Sequence, residues 1–296
     1  MAVHYHGKLD RQALSLALLA VTLFGVTPVV IKLTSANPWA IGIVRLAIAA
    51  SVFPFLAKFT REHWRLSLQH WPILLAMGVA FSLHWITYFF SIKWSSAGLA
   101  SIGVASYGVH ILWMTCLVTR KRPRSLDFLS LALAIIGVVL VAPKNNVGPG
   151  MLPGFGLGLL SGLFWATLPL LNQRAVAIPT QVRSFPQYLV GLLLFLPFAG
   201  QADWSFGYTD WLLLIYLSLF STLIAHTLWV KTSGMLPGSA TAVMYYLHVP
   251  VALLLGWLCL GETIQIWQAV GIGFIAVGSW LGIRSSRAAT ETVPED

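Results

Sequence analysis

The stretch WPILLAMGVAFSLHWITYFFS, Trp71 to Ser91, contains no Asp, Glu, Lys or Arg. About 20 consecutive apolar residues are what a helix needs to cross a hydrocarbon core. Its apolar side chains run on without the strict alternation of a membrane β-strand, so a barrel is excluded. Nine further stretches of the same kind lie at 13–33, 39–57, 97–118, 126–143, 152–172, 182–199, 209–230, 238–259 and 264–283. Ten spans leave only loops and two short tails, with no room for a soluble domain. The composition agrees: 57% of the 296 residues are hydrophobic and 9% charged, against about 25% charged in soluble domains. Mean hydropathy is +0.80, which excludes disorder as well, because disordered chains are poor in apolar residues. The chain is predicted to be an all-α membrane protein. Its first span carries Lys32 and is followed at once by a second, so it reads as a retained helix and not a cleaved signal peptide.

The charge pattern sets an orientation. Of 18 Lys and Arg, a cytoplasmic N-terminus places fourteen inside: Lys8, Arg11, Lys58, Arg61, Arg65, Arg120, Lys121, Arg122, Arg124, Arg174, Arg183, Lys231, Arg284 and Arg287. Lys93 and Lys144 fall outside, and Lys32 and Arg45 lie within spans. That asymmetry is the positive-inside signature, and it predicts an inner-membrane protein with both termini in the cytoplasm. The run from Arg120 to Arg124 reads as a loop facing anionic lipid and not as a nucleic-acid patch. Cys116 and Cys259 sit near opposite faces and cannot bridge.

The sequence also resembles itself at an offset near 140. Phe24-Gly25 corresponds to Phe164-Trp165, Asn37-Pro38-Trp39 to Ile178-Pro179-Thr180, Trp71 to Trp211, Ser96-Ala97-Gly98 to Gly238-Ser239-Ala240, and Gly137 to Gly278. Two units follow, residues 1–146 and 147–296, each of five spans. An odd number of spans inserts the second unit upside down. Inverted repeats of this kind build secondary transporters, with the substrate site near mid-membrane between the halves.

Two motif runs carry a resemblance to a known family. Leu23-Phe24-Gly25-Val26-Thr27-Pro28-Val29-Val30-Ile31-Lys32 is similar to the opening motif of the EamA family of the drug/metabolite transporter superfamily. Leu236-Pro237-Gly238-Ser239-Ala240, Val249-Pro250-Val251, Leu260-Gly261-Glu262-Thr263 and the glycine-rich last span resemble its closing pattern. The first half departs from that pattern, with Gly108 where Pro250 maps and Arg120 where Glu262 maps, so the two gates are chemically unequal. The resemblance implies the EamA fold of ten helices. It also implies a carrier that often exports amino acids or other small metabolites, and a cavity framed by spans one to four and six to nine. The Lys at position 32 belongs to the family motif, which implies a place at the outer gate or on a substrate carboxylate.

Ionisable groups at membrane depth face an interior or a cavity by default. Apart from Asp127, Arg183 and Asp210 at their very ends, the spans hold no Asp or Glu, only Lys32, Arg45, His84, His110, His226 and His248, with Asn172 and Gln173 near a span end. Three of the histidines share a helix face with a tyrosine: His84 with Tyr88, His110 with Tyr107 and His248 with Tyr245. Imidazole and phenol together can hydrogen-bond a zwitterion, and imidazole titrates near neutral pH, so His84, His110, His226 and His248 are candidates for carrying a proton. Each could equally do no more than hydrogen-bond a neighbouring helix. Trp165, mid-span, is the candidate stacking surface. The substrate-binding set is therefore His84, Tyr88, Tyr107, Trp165, Tyr245, Lys32 and Arg45. Pro28, Pro54, Pro169 and Pro250 are expected to break or bend helices. Trp39, Trp64, Trp71, Trp94, Trp204, Trp211 and Trp267 at span ends read as interfacial belts. The run Gly271-x-Gly273-x-x-Ala276 lacks a preceding strand and reads as helix packing, not a dinucleotide fingerprint.

No metal spacing, cofactor motif, catalytic pair or nucleic-acid site is read. The expected function is a secondary transporter that exports a small polar or zwitterionic, amino-acid-like metabolite by alternating access, in the bilayer as monomer or homodimer. An organic-anion or nucleotide-sugar exchanger is the alternative. A phosphorylated substrate needs several convergent cations, and only Lys32 and Arg45 are offered. A membrane-embedded enzyme or a channel fits less well.

Overall fold

The computed structural model describes residues 11–95, 100, 103–120, 124–141, 150–236, 238–260 and 265–291. The regular elements described are all helical. They are α1 (Arg11–Leu33), α2 (Pro38–Leu56), α3 (Arg61–Gln69), α4 (Trp71–Trp94), α5 (Tyr107–Thr119), α6 (Ser125–Val141), α7 (Met151–Arg174), α8 (Thr180–Phe195), α9 (Tyr208–Tyr216), α10 (Ala225–Met235), α11 (Gly238–Tyr246), α12 (His248–Leu260) and α13 (Ile266–Glu291). A 3₁₀ turn, Leu196–Gln201, prolongs α8, and a π-helical segment, Leu217–Ile224, joins α9 to α10. Seven helical stretches are long and apolar enough to cross a membrane, including Tyr208–Met235 and Ala240–Cys259. Three shorter apolar ones are Gly103–Val118, Ser125–Leu140 and Ile266–Gly282. Lys8, Ser96-Ala97-Gly98, Lys121-Arg122-Pro123, Pro143 to Pro149, Pro237 and Gly261-Glu262-Thr263, all used in the sequence reading, lie outside the described residues.

Local chemistry explains the boundaries. Asn37 caps α2 through Oδ1, which accepts the Ala40 N–H at 3.0 Å, and Pro38 stands at the first turn where its missing N–H costs nothing. Asp210 in the first turn of α9 accepts hydrogen bonds from Thr34 Oγ1, Ser35 N and Ser35 Oγ, each 2.8 Å. It thereby ties the end of α1 to the start of α9. The helix α3 falls where the sequence reading placed a loop. It is nucleated by a capping box in which Thr60 N–H donates to His63 Nδ1 at 3.0 Å and His63 N–H to Thr60 Oγ1 at 3.4 Å.

The prolines behave differently from expectation. Pro28, Pro54 and Pro169 sit inside α1, α2 and α7, and those helices continue through them. The interruptions lie instead at the π-helical segment and at Leu247, between α11 and α12 and just before Pro250. The belt assignment also needs one correction. Trp64, Trp71, Trp94, Trp204 and Trp211 are exposed, but Trp39 is buried and stacks on Phe198 at 4.2 Å.

The broadest packing joins residues before 142 to residues after 150. Helix α4 lies against α7 and α8, α1 against α10 and α12, α2 against α8 and the π-helical segment, and α6 against α13. Glycine makes the last contact close. A Cβ at Gly137 would come within 2.5 Å of the Gly271 carbonyl oxygen, and one at Gly278 within 2.6 Å of the Ser130 carbonyl oxygen. The two glycines matched in the sequence thus serve the same helix pair from opposite sides. In Gly278→Val the backbones of α6 and α13 must separate, at a cost of about 1–3 kcal/mol. A lower thermal midpoint in detergent is the expected reading, and an unchanged one would remove this contact from the fold's determinants.

Candidate functional site

Side chains of α1, α2, α4, α7, α10, α11, α12 and the π-helical segment converge on a cavity of about 50 Å³. Five of the seven expected substrate-binding residues line it: Arg45, His84, Tyr88, Trp165 and Tyr245. Tyr107 is buried one layer away, its ring 5.0 Å from Tyr245. Lys32 lies exposed in the last turn of α1, away from the lining. Of the histidines proposed as proton carriers, His84, His226 and His248 line the cavity. His110 does not, and its Nδ1 accepts from Trp113 Nε1 at 3.4 Å.

Arg45 is the charged member of the lining. It is 3% exposed, far from the water that usually solvates a guanidinium. Its Nε donates to Thr222 Oγ1 at 3.0 Å, and its Cζ lies 4.1 Å from the Trp85 ring centroid and 5.9 Å from that of Phe89. Thr222 can turn its hydroxyl toward Arg45 because the π-helical turn lets Oγ1 donate five residues back, to the Leu217 carbonyl at 3.1 Å. The Tyr188 hydroxyl holds the Thr222 carbonyl at 3.1 Å. Arg45 Nη1 is buried without a hydrogen-bond partner, and so is Trp165 Nε1. Buried polar groups are normally paired, so these two donors are exceptions in this interior.

The histidines are fixed by their partners. His84 Nδ1 lies 3.2 Å from the Ser161 carbonyl oxygen and 2.8 Å from Ser161 Oγ. A carbonyl only accepts, so Nδ1 carries the proton and Nε2 is left as the ring's acceptor. The same reasoning applies to His248, whose Nδ1 lies 2.6 Å from the Tyr245 carbonyl oxygen. His226 Nε2 lies 2.9 Å from Gln187 Oε1, and Gln187 spends its NH₂ on the Arg183 carbonyl at 2.9 Å. Trp165 stands between two of these rings, 4.5 Å from His84 and 5.9 Å from His226, and 5.5 Å from Tyr245. Tyr88 stacks parallel to His84 at 5.8 Å, as their one-turn spacing predicts.

Sequence reasoning missed Phe24, Thr27, Phe89 and Ser221 as lining residues. Thr27 Oγ1 donates to Ser221 Oγ at 3.0 Å. It also misplaced Arg183, which counts toward the inner loops by sequence but is 3% exposed in α8. Its Nη1 donates to the carbonyls of Asn172 and Val230 and to Asn172 Oδ1, and its Nε to the Ile178 carbonyl. Arg183 thus closes the ends of α7 and α10 and is spent on structure. Asn172 and Gln173 belong to this same inner knot and do not reach the cavity.

A sequence model of the EamA-like transporter family matches residues 11–142 and, a second time, residues 152–284. The chain belongs to that family. The threonine/homoserine exporter RhtA of Escherichia coli K12 is 26% identical over 84% of this chain and 85% of its own length. A probable amino-acid metabolite efflux pump of Salmonella typhimurium is 26% identical over 90% of this chain and 93% of its own. A solved crystal structure at 17% identity superposes with a TM-score of 0.79 over 94% of this chain and 98% of that one, which shows the fold. The chain is a multi-pass membrane transporter of this family, whose members carry small-molecule metabolites.

Thr222→Val tests the Arg45 cage. It leaves a buried Nε–H without an acceptor, a cost of about 1–3 kcal/mol. The expected result is a lower thermal midpoint with ligand affinity reduced as well; a midpoint equal to the parent's would mean that Arg45 finds its partner elsewhere.

Proposed function

We propose that this chain is a ten-span secondary transporter of the inner membrane that exports a small polar, amino-acid-like metabolite by alternating access. The cavity enclosed between the two stretches matched by the family model carries this reading. A buried guanidinium, three imidazoles and stacked aromatic rings meet there. The three shorter apolar helices complete the ten spans, and residues 1–146 and 147–296 form the two inverted units. The packing supports that symmetry. Helix α4 packs on α7 and α8, as the Tyr208–Met235 stretch packs on α1 and α2; α1 packs on α12 as α7 packs on α5; α6 packs on α13. Exchanging the two units maps this set of contacts onto itself. The names of the relatives support export of amino-acid-like cargo, and the excess of Lys and Arg places both termini in the cytoplasm. A nucleotide-sugar exchanger is disfavoured by a single cation in the lining, because a diphosphate calls for several.

The test is flux. In proteoliposomes, His84→Ala and Trp165→Ala are each expected to lower counterflow of the small amino acid, or of the hydroxy-acid analogue, that the parent carries best about tenfold or more, equivalent to about 1.4 kcal/mol, while remaining monodisperse and inserted. Parent-like flux in both variants would remove this cavity as the transport site.

A further inference from the structure

We infer that the cargo bound in this cavity carries a net charge of −1: a small carboxylate whose α-substituent is a neutral hydrogen-bonding group such as a hydroxyl, not an ammonium. The inference rests on the transporter reading above and narrows its cargo.

The argument is charge balance at membrane depth. The acidic residues among the described ones are absent from the cavity lining. Asp127 and Asp210 stand in the first turns of α6 and α9, Glu62 in α3, Asp203 between the 3₁₀ turn and α9, and Glu291 at the end of α13. Arg45 therefore has no carboxylate to neutralise it among the described residues. Its bonds go to a neutral hydroxyl and to the faces of Trp85 and Phe89. A monoanion brings the loaded site to zero charge. A zwitterion leaves it at +1, in a medium where an uncompensated charge is costly.

The unspent hydrogen-bonding groups point the same way. Arg45 Nη1 and Trp165 Nε1 are buried donors with no partner. Two unpaired N–H groups on residues that line one cavity are the complement of a carboxylate, and the charge-assisted bond to Arg45 is the stronger kind. The acceptors on offer are the remaining imidazole nitrogens of His84, His226 and His248, and these suit a hydroxyl. An ammonium would find aromatic faces but no anion, and it would sit in the same small cavity as the guanidinium. The volume, about 50 Å³, suits a cargo of a few heavy atoms.

The experiment compares isosteric pairs on the purified full-length protein in lipid nanodiscs, by calorimetric titration: glycerate against serine, lactate against alanine, and phenyllactate against phenylalanine. The hydroxy acid in at least one pair is expected to bind about tenfold or more tighter than its amino acid. Arg45→Gln is expected to bring that ratio close to one, and Arg45→Lys to retain part of it. The parent comparison alone decides the matter where the variants fail to fold. Amino acids binding as tightly as or tighter than their hydroxy partners would overturn the charge assignment and leave the exporter reading in place. Failure of every carboxylate to bind would overturn both.

Discussion

A positive charge buried in an apolar interior has to be stabilised by whatever the protein itself supplies, and Arg45, 3% exposed, is the charge around which this interior is arranged. No carboxylate among the described residues lines its cavity. What the chain provides is a face-on contact with the Trp85 ring at 4.1 Å and one hydroxyl, Thr222, at 3.0 Å. Both are weaker than an ion pair. The guanidinium is thus held in position but left electrostatically incomplete. Arg183 is the contrast within the same molecule. It is equally buried, yet it is saturated by five acceptors on α7, α8, α10 and the turn before α8. One arginine locks helix ends; the other waits in a cavity.

The cage around Arg45 depends on a departure from regular helix. In the segment Leu217–Ile224 the hydrogen-bond ladder widens to π geometry. Thr222 Oγ1 then reaches the Leu217 carbonyl, and Ser221 and Thr222 present their hydroxyls to Thr27 on α1 and Arg45 on α2. π turns are rare and concentrate at functional sites. Two ties hold the helices that carry this segment. At one end Asp210 gathers three hydrogen bonds from Thr34 and Ser35; at the other, Arg183 binds the Val230 carbonyl on α10. The cavity lies between these clamps.

Much of this was legible in the sequence because membranes simplify the code. Apolar runs near 20 residues pointed to the helices, seven stretches of which are long and apolar enough to cross a membrane, and the expectation that ionisable groups at depth face an interior or a cavity led directly to Arg45 and His84 in the lining. Tyr88 followed from its one-turn spacing, and Trp165 from its mid-span position. Thr27 and Ser221 were not legible, because hydroxyl residues are common in spans and usually bond their own helix, as Thr22 does with Leu18. The π turn was not legible either: its sequence is as apolar as any regular helix, and only tertiary contacts choose its register. Arg183 was misassigned because a charge near a span end reads as snorkelling, and nothing in the sequence says that Asn172, Ile178 and Val230 will surround it with carbonyls. The prolines misled for a related reason. Packing against neighbours holds α1, α2 and α7 together through Pro28, Pro54 and Pro169, so their lost N–H groups do not set the breaks.

The packing and the chemistry of this interior have different symmetry. Exchanging the two units preserves the helix contacts, and it carries His84 onto His226 in the same cavity. It does not preserve Arg45: at the repeat offset of 140 to 142, positions 185 to 187 hold Phe185, Pro186 and Gln187, with no charge. Nor does it preserve the tie made by Asp210 to the end of α1. Under the alternating-access reading proposed above, two conformations related by such an exchange would share their packing energy but not their electrostatics. The difference in energy between them, and hence the preferred resting side, would then come from a few unpaired polar groups, Arg45 central among them, because a ligand that completes it would change that difference directly.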